Sequence, residues 1–182
     1  MTKKQLKPKS TLTLAKINKE TKSFSETHLF EFSNGETLNI NIRFKPSAIE
    51  DMLEEYGQHM NTFEDHMSEM TETKKQKFQV YFLHFLVIKH FTDLKKSITD
   101  DSSKILDQFN AIIDTIYFQE LIDNGFLTEE INKVWEKASK LTAAYSFMNN
   151  LEHKFQKHVQ NLELENKDVL EKFGKDKQVP EM

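Results

Sequence analysis

The sequence predicts a mainly α protein, a helical bundle with a small N-terminal β-hairpin. Three observations point there. Only four Gly and three Pro occur in 182 residues, too few for a many-turned β-sandwich, a barrel or a Gly-rich nucleotide fold. Apolar residues recur at helical spacing over long stretches beyond residue 47, whereas strict apolar–polar alternation is confined to a short stretch near the N-terminus. Hydrophobic residues are only 37% of the chain, but fifteen Phe are among them, and each buried ring removes a large apolar area from water. The length is enough for one domain with a real core.

Residues 1–25 carry seven Lys and one Glu, a net of +6, and form a basic flexible arm. Within it STLTLAKI (10–17) alternates enough to suggest a short strand, with Leu12 and Leu14 on one face. Residues 26–45 predict a β-hairpin. In TLNINIRF (37–44), Leu38, Ile40, Ile42 and Phe44 alternate with Asn39, Asn41 and Arg43, as in a half-buried strand. Its partner is THLFEF (27–32). Parity selects the loop: a two-residue turn sets Phe30 against Asn39, mixing the faces. A three-residue loop, Ser33-Asn34-Gly35, sets Phe30 against Leu38 and His28 against Ile40. It also places Gly35 in the left-handed position of a type I turn with a G1 bulge.

The helical body is expected over 46–173, with a tail at 174–182. Pro46 stops the strand, and Ser47-Ala48-Ile49-Glu50 reads as a capping box. Ile49, Met52, Leu53 and Tyr56 form the first stripe, which Gly57 is expected to end or bend. Residues 58–72 are polar with weak periodicity (Met60, Phe63, Met67, Met70). The strongest helix is expected from Lys74 to Ile98; it is apolar nearly all round and should be central. Thr99 to Ser102 reads as a break and a cap, followed by a helix through Ile105, Phe109 and Ile113 and a stop at Asn124-Gly125. Thr128, Glu129 and Glu130 open the last helix, where acids suit the positive helix end. Its stripe runs from Ile131 through Val134, Trp135, Leu141 and Tyr145 to Leu162, about eight turns. Phe82, Phe85, Phe109, Ile113 and Trp135 are the expected core.

No cysteine is present, which excludes disulfides, thiolate metal sites and Cys nucleophiles. No apolar run approaches the roughly 20 residues that cross a bilayer, and the basic N-terminus lacks an apolar segment before a small-residue cleavage site. A cytoplasmic protein without membrane contact is the expectation. GxSxG, P-loop, GxGxxG and paired-Asp motifs are missing, so neither catalytic residues nor a cofactor is expected. His59 and His66, with Glu55 and Glu69, resemble a metal face, but Gly57 interrupts it and no HExxH motif supports it. An exposed polar helix explains them, and no metal is expected. The Lys-rich arm has no Arg and no aromatic before Phe24, whereas base contacts favour Arg and single-strand binding favours stacked rings.

What remains is surface for partners. The 131–162 stripe is longer than a small body covers, and Met suits adaptable grooves. The candidate partner-binding residues are Tyr145, Phe147, Met148, Leu151, Phe155, Val159, Met52 and Met60. Self-association is a second way to cover the same stripe.

A hairpin ending in RFKPSAIEDMLEEY (43–56) is followed by YFLHFLVIKHFTDL (81–94) and IIDTIYFQELIDNGFLTEEI (112–131). This layout resembles the tail assembly chaperones of long-tailed phages and prophages of low-GC Gram-positive bacteria. The resemblance implies a small helical protein that performs no chemistry in the host cytoplasm. Its implied role is to bind the tape measure protein, keep it soluble and help the tail tube protein polymerise round it. The alternative is a nucleic-acid-binding phage or regulatory protein acting through the Lys-rich arm.

Overall fold

The computed structural model describes residues 11–144. Among these residues the chain is mainly α, with one antiparallel hairpin. A first unit ends at Trp135 and a second begins at Glu136. The first element corrects the expected strand at 10–17. Thr13 caps a helix, α1 (Leu14–Ser23), by accepting the N–H of Lys16 at 3.4 Å. A strand needs a neighbour to satisfy its backbone, whereas a helix satisfies its own; the sheet among the described residues is two-stranded.

The hairpin matches the parity reading. β1 (Thr27–Glu31) and β2 (Thr37–Asn41) pair with Phe30 opposite Leu38 and His28 opposite Ile40. Gly35 has φ +85 and donates its N–H to the Phe32 carbonyl at 2.8 Å. This is the left-handed position that an L side chain resists. The hairpin is anchored at both ends. At the turn, the Ser33 N–H donates to Glu120 Oε2 at 2.9 Å, the Ser33 hydroxyl donates to the same carboxylate, and Phe32 packs edge-on to Tyr117. Beyond β2, Phe44 stacks on Phe91 with ring centroids 3.7 Å apart, and its N–H donates to the buried Glu130 at 3.1 Å.

Helix α2 (Pro46–Thr62) starts one residue before the expected capping box. Lys45 is its N-cap and Pro46 takes the first helical position, where a missing N–H costs nothing. Gly57 does not end it: the helix runs on to Thr62, with Ile49, Met52, Leu53 and His59 all held buried along one face. A methyl group at Gly57 would meet nothing within 4 Å. Gly57→Ala is therefore expected to raise the unfolding free energy by about 0.5–1 kcal/mol, read by urea denaturation.

After α3 (Glu64–Ser68) comes α4 (Glu72–Phe91), central as expected: Phe82, Leu83 and every residue from Phe85 to Lys89 are buried. It ends at Phe91, not at Ile98. Thr92 is extended, bridges Ile40 of β2, and turns its hydroxyl to accept the Leu94 N–H at 3.1 Å. A 3₁₀ turn (Asp93–Lys96) follows. α5 (Ser102–Ile113) is capped by Asp101, whose carboxylate accepts the Ser103 N–H at 2.9 Å. α6 (Ile116–Glu120) runs into a π turn (Leu121–Gly125), and residues 128–135 are helical again. In the second unit, residues 136–144 are helical.

Phe82, Phe85 and Phe109 are core, as expected. Ile113 and Trp135 are only half-buried. Ile113 lies in the last turn of α5, and the Trp135 ring packs edge-on to a half-buried His84 at 5.6 Å.

Candidate functional site

The densest chemistry among the described residues is a polar cluster where α2, α4 and α5 meet. Lys89 faces inward because α4 is buried all round there; the residue is 1% exposed. A buried ammonium requires a counter-charge. It has two, with Nζ 2.5 Å from both Glu55 Oε1 and Asp100 Oδ1, and it also donates to the Thr99 carbonyl at 3.2 Å. Glu55 reaches it from α2 and gathers further donors: His90 Nε2 lies 2.6 Å from Oε2, and His59 Nε2 lies 3.3 Å from Oε1.

Burial opposes the charge on Glu55, but the bonds from His59, His90 and Lys89 outweigh it. The carboxyl is held well below the usual glutamate range. A carboxylate only accepts, so His59 Nε2 carries a proton towards it. In the neutral ring, Nδ1 is then left to accept the Ser102 hydroxyl, 3.0 Å away. Nearby, burial against the Phe82 ring pushes the Tyr56 phenol up to about 12.

Ser102, His59 and Glu55 are thus linked in the order of a nucleophile, base and orienting acid. Two further features belong to the same cluster. The Glu55 carboxylate is shared with Lys89 and His90, and the start of α5 beside Ser102 is occupied by the Asp101 carboxylate. The cluster ties three helices together. Among the described residues no buried side-chain polar atom lacks a partner, and no group of three or more His, Asp or Glu side chains is placed to hold a metal ion. The expected exposed face of His59 and His66 does not form. His59 is buried in the cluster, while His66 is exposed beside Phe78.

The candidate binding residues fall in different places. Met52 is fully buried, a core position that offers no contact surface, and Met60 is half-buried. Tyr145, Phe147, Met148, Leu151, Phe155 and Val159 lie outside the described residues. The described start of their stripe goes from buried Val134, through half-buried Trp135 and Ala138, to Leu141, which is 39% exposed. The largest exposed apolar side chains elsewhere include Leu12, Leu14, Leu29 and Leu127. No helix among the described residues is long and apolar enough to cross a membrane.

A family model described as YomO matches residues 14–178. Neither a curated protein nor a solved structure matches significantly.

Proposed function

The chain belongs to the YomO family, which is associated with phages and prophages, and from that premise we propose that it is a non-enzymatic tail assembly chaperone. Its client is the tape measure protein, which it binds and keeps soluble in the host cytoplasm while the tail tube assembles. The observation that carries this reading is the apolar stripe opening at Ile131, whose described part passes from buried Val134 to exposed Leu141. The same pattern continues in sequence to Leu162. A long helical client offers apolar anchors at helical spacing, and a stripe of this kind receives them. The internal satisfaction of the Glu55–Lys89 cluster fits a chain that works through its surface.

The test is coexpression with the tape measure protein of the same phage, alone, with the wild-type chain, and with Leu141→Asp. The wild type is expected to hold the client in the soluble fraction. Leu141→Asp is expected to send most of it to the pellet, because a carboxylate in an apolar contact loses its water without gaining a partner. Leu141 is exposed, so the variant's far-ultraviolet circular dichroism should match the wild type. Phe155→Asp repeats the test further along the stripe. A client equally soluble with no chaperone present would defeat the reading.

A further inference from the structure

The element that the fold uses least is α1. None of its residues is buried; Leu14 is 71% exposed, Ile17 43%, and Leu12 just before it 69%. Yet the helix is patterned for a contact. At 100° per residue, Leu14, Ile17, Thr21 and the C-capping Phe24 share one side, with Lys16 and Lys22 flanking it and Lys19 behind. Consecutive turn bonds from the N–H groups of Phe24, Ser25 and Glu26 to the carbonyls of Thr21, Lys22 and Ser23, respectively, join α1 to β1.

The complementary surface is on the same molecule. Residues 26–73 carry eleven acids against Arg43 and Lys45, a net of −9, whereas residues 1–25 are +6. Around α3, Glu64, Asp65 and Glu69 are exposed, and Met60 and Met70 in the same stretch of chain are half-buried. The stretch thus combines exposed acids with partly exposed methionines, whose flexible side chains adapt to an apolar partner. An anionic bilayer or nucleic acid would attract α1 but repel the acidic 60–70 surface; a second copy satisfies both.

We propose that the apolar side of α1 docks on the acidic 60–70 surface of a second copy of this chain, with Lys22 reaching its acids. Two copies related by a twofold axis make the contact reciprocally, so the assembly closes as a dimer. This contact uses a different surface from the 131–162 stripe and stands or falls separately from the chaperone reading.

Sedimentation velocity of the full-length chain tests it. The wild type should dimerise at micromolar concentration, less tightly at 1 M than at 0.1 M salt. The double variant Leu14→Asp/Ile17→Asp should weaken dimerisation by about a hundredfold with an unchanged circular dichroism spectrum, since both side chains are exposed. Lys22→Glu should weaken it too, and adding Glu64→Lys/Glu69→Lys should restore it. A wild type that stays monomeric at about 100 μM overturns the proposal, as does dimerisation indifferent to Leu14→Asp/Ile17→Asp. Binding of α1 to phosphatidylglycerol vesicles or duplex DNA without self-association overturns it as well.

Discussion

Glu55→Ala is expected to lower the unfolding free energy by about 3–5 kcal/mol, whereas Lys89→Met should cost only about 1–2 kcal/mol. The difference comes from what each change leaves behind. Removing Glu55 deprives three donors at once, and Lys89, 1% exposed, keeps only the exposed Asp100 and one carbonyl. Removing Lys89 leaves the Glu55 carboxylate with both of its imidazole donors, and Met fills the aliphatic part of the space. Urea denaturation followed by circular dichroism measures both. A loss below about 1 kcal/mol for Glu55→Ala would mean that the cluster contributes no more than an exposed ion pair. The acid limb carries a second signature. The Glu55 carboxyl titrates lower in the folded chain than its ordinary 4.5, so its stabilisation is fully present above that value. It is lost progressively as pH falls towards the folded value. Glu55→Ala should therefore flatten the acid limb of the stability profile, as well as lowering its plateau.

Phe82→Ala should cost a similar amount, about 3–5 kcal/mol, for a different reason. Phe82 is 0% exposed and lies at the hub of an aromatic cluster, with Phe63, Phe78, Phe85 and Phe109 all within 6 Å of its ring centre. These rings come from α4, α5 and the segment between α2 and α3, so no single neighbour can move in to fill the gap. Phe82→Leu, which keeps most of the volume, should cost less than half as much in the same urea experiment. Equal costs would place the energy in ring-specific contacts and not in the cavity.

The parts of this fold that were legible in the sequence are those where a local period decides. The hairpin register was legible because a one-residue change in loop length throws Phe30 across from Asn39. The central helix was legible because its apolar residues leave no polar face. Boundaries were less so: Pro46 and Ser47 both offer a helix start, and only the structure says that Pro46 takes it. Gly57 misled because the cost of one glycine is small beside four buried side chains on the same helix. The Glu55 cluster was hidden by distance, since its partners lie 34, 35 and 43 residues apart and no pattern connects them. One signal was there to be used. Lys89 is a charged residue in the last turn of a helix whose C-terminal half is apolar on every side, and such a residue requires a buried partner. The short spacing from Glu55 to His59 pointed to where that partner lies.

The anchoring of the hairpin carries a consequence for synthesis. The ribosome releases the chain from its N-terminus, so β1, β2 and their turn emerge long before the residues that hold them. Ser33 waits for Glu120, 87 residues later, and Phe44 waits for Glu130, 86 residues later. At a translation rate of roughly 5–20 residues per second, the wait lasts about 4–17 seconds. A two-stranded hairpin alone in water is marginally stable at best, so for those seconds Phe30, Phe32 and Phe44 belong to a nascent chain with nothing to bury them. The acidic stretch that follows is the next part of the chain to emerge, and it brings a high density of negative charge beside these rings.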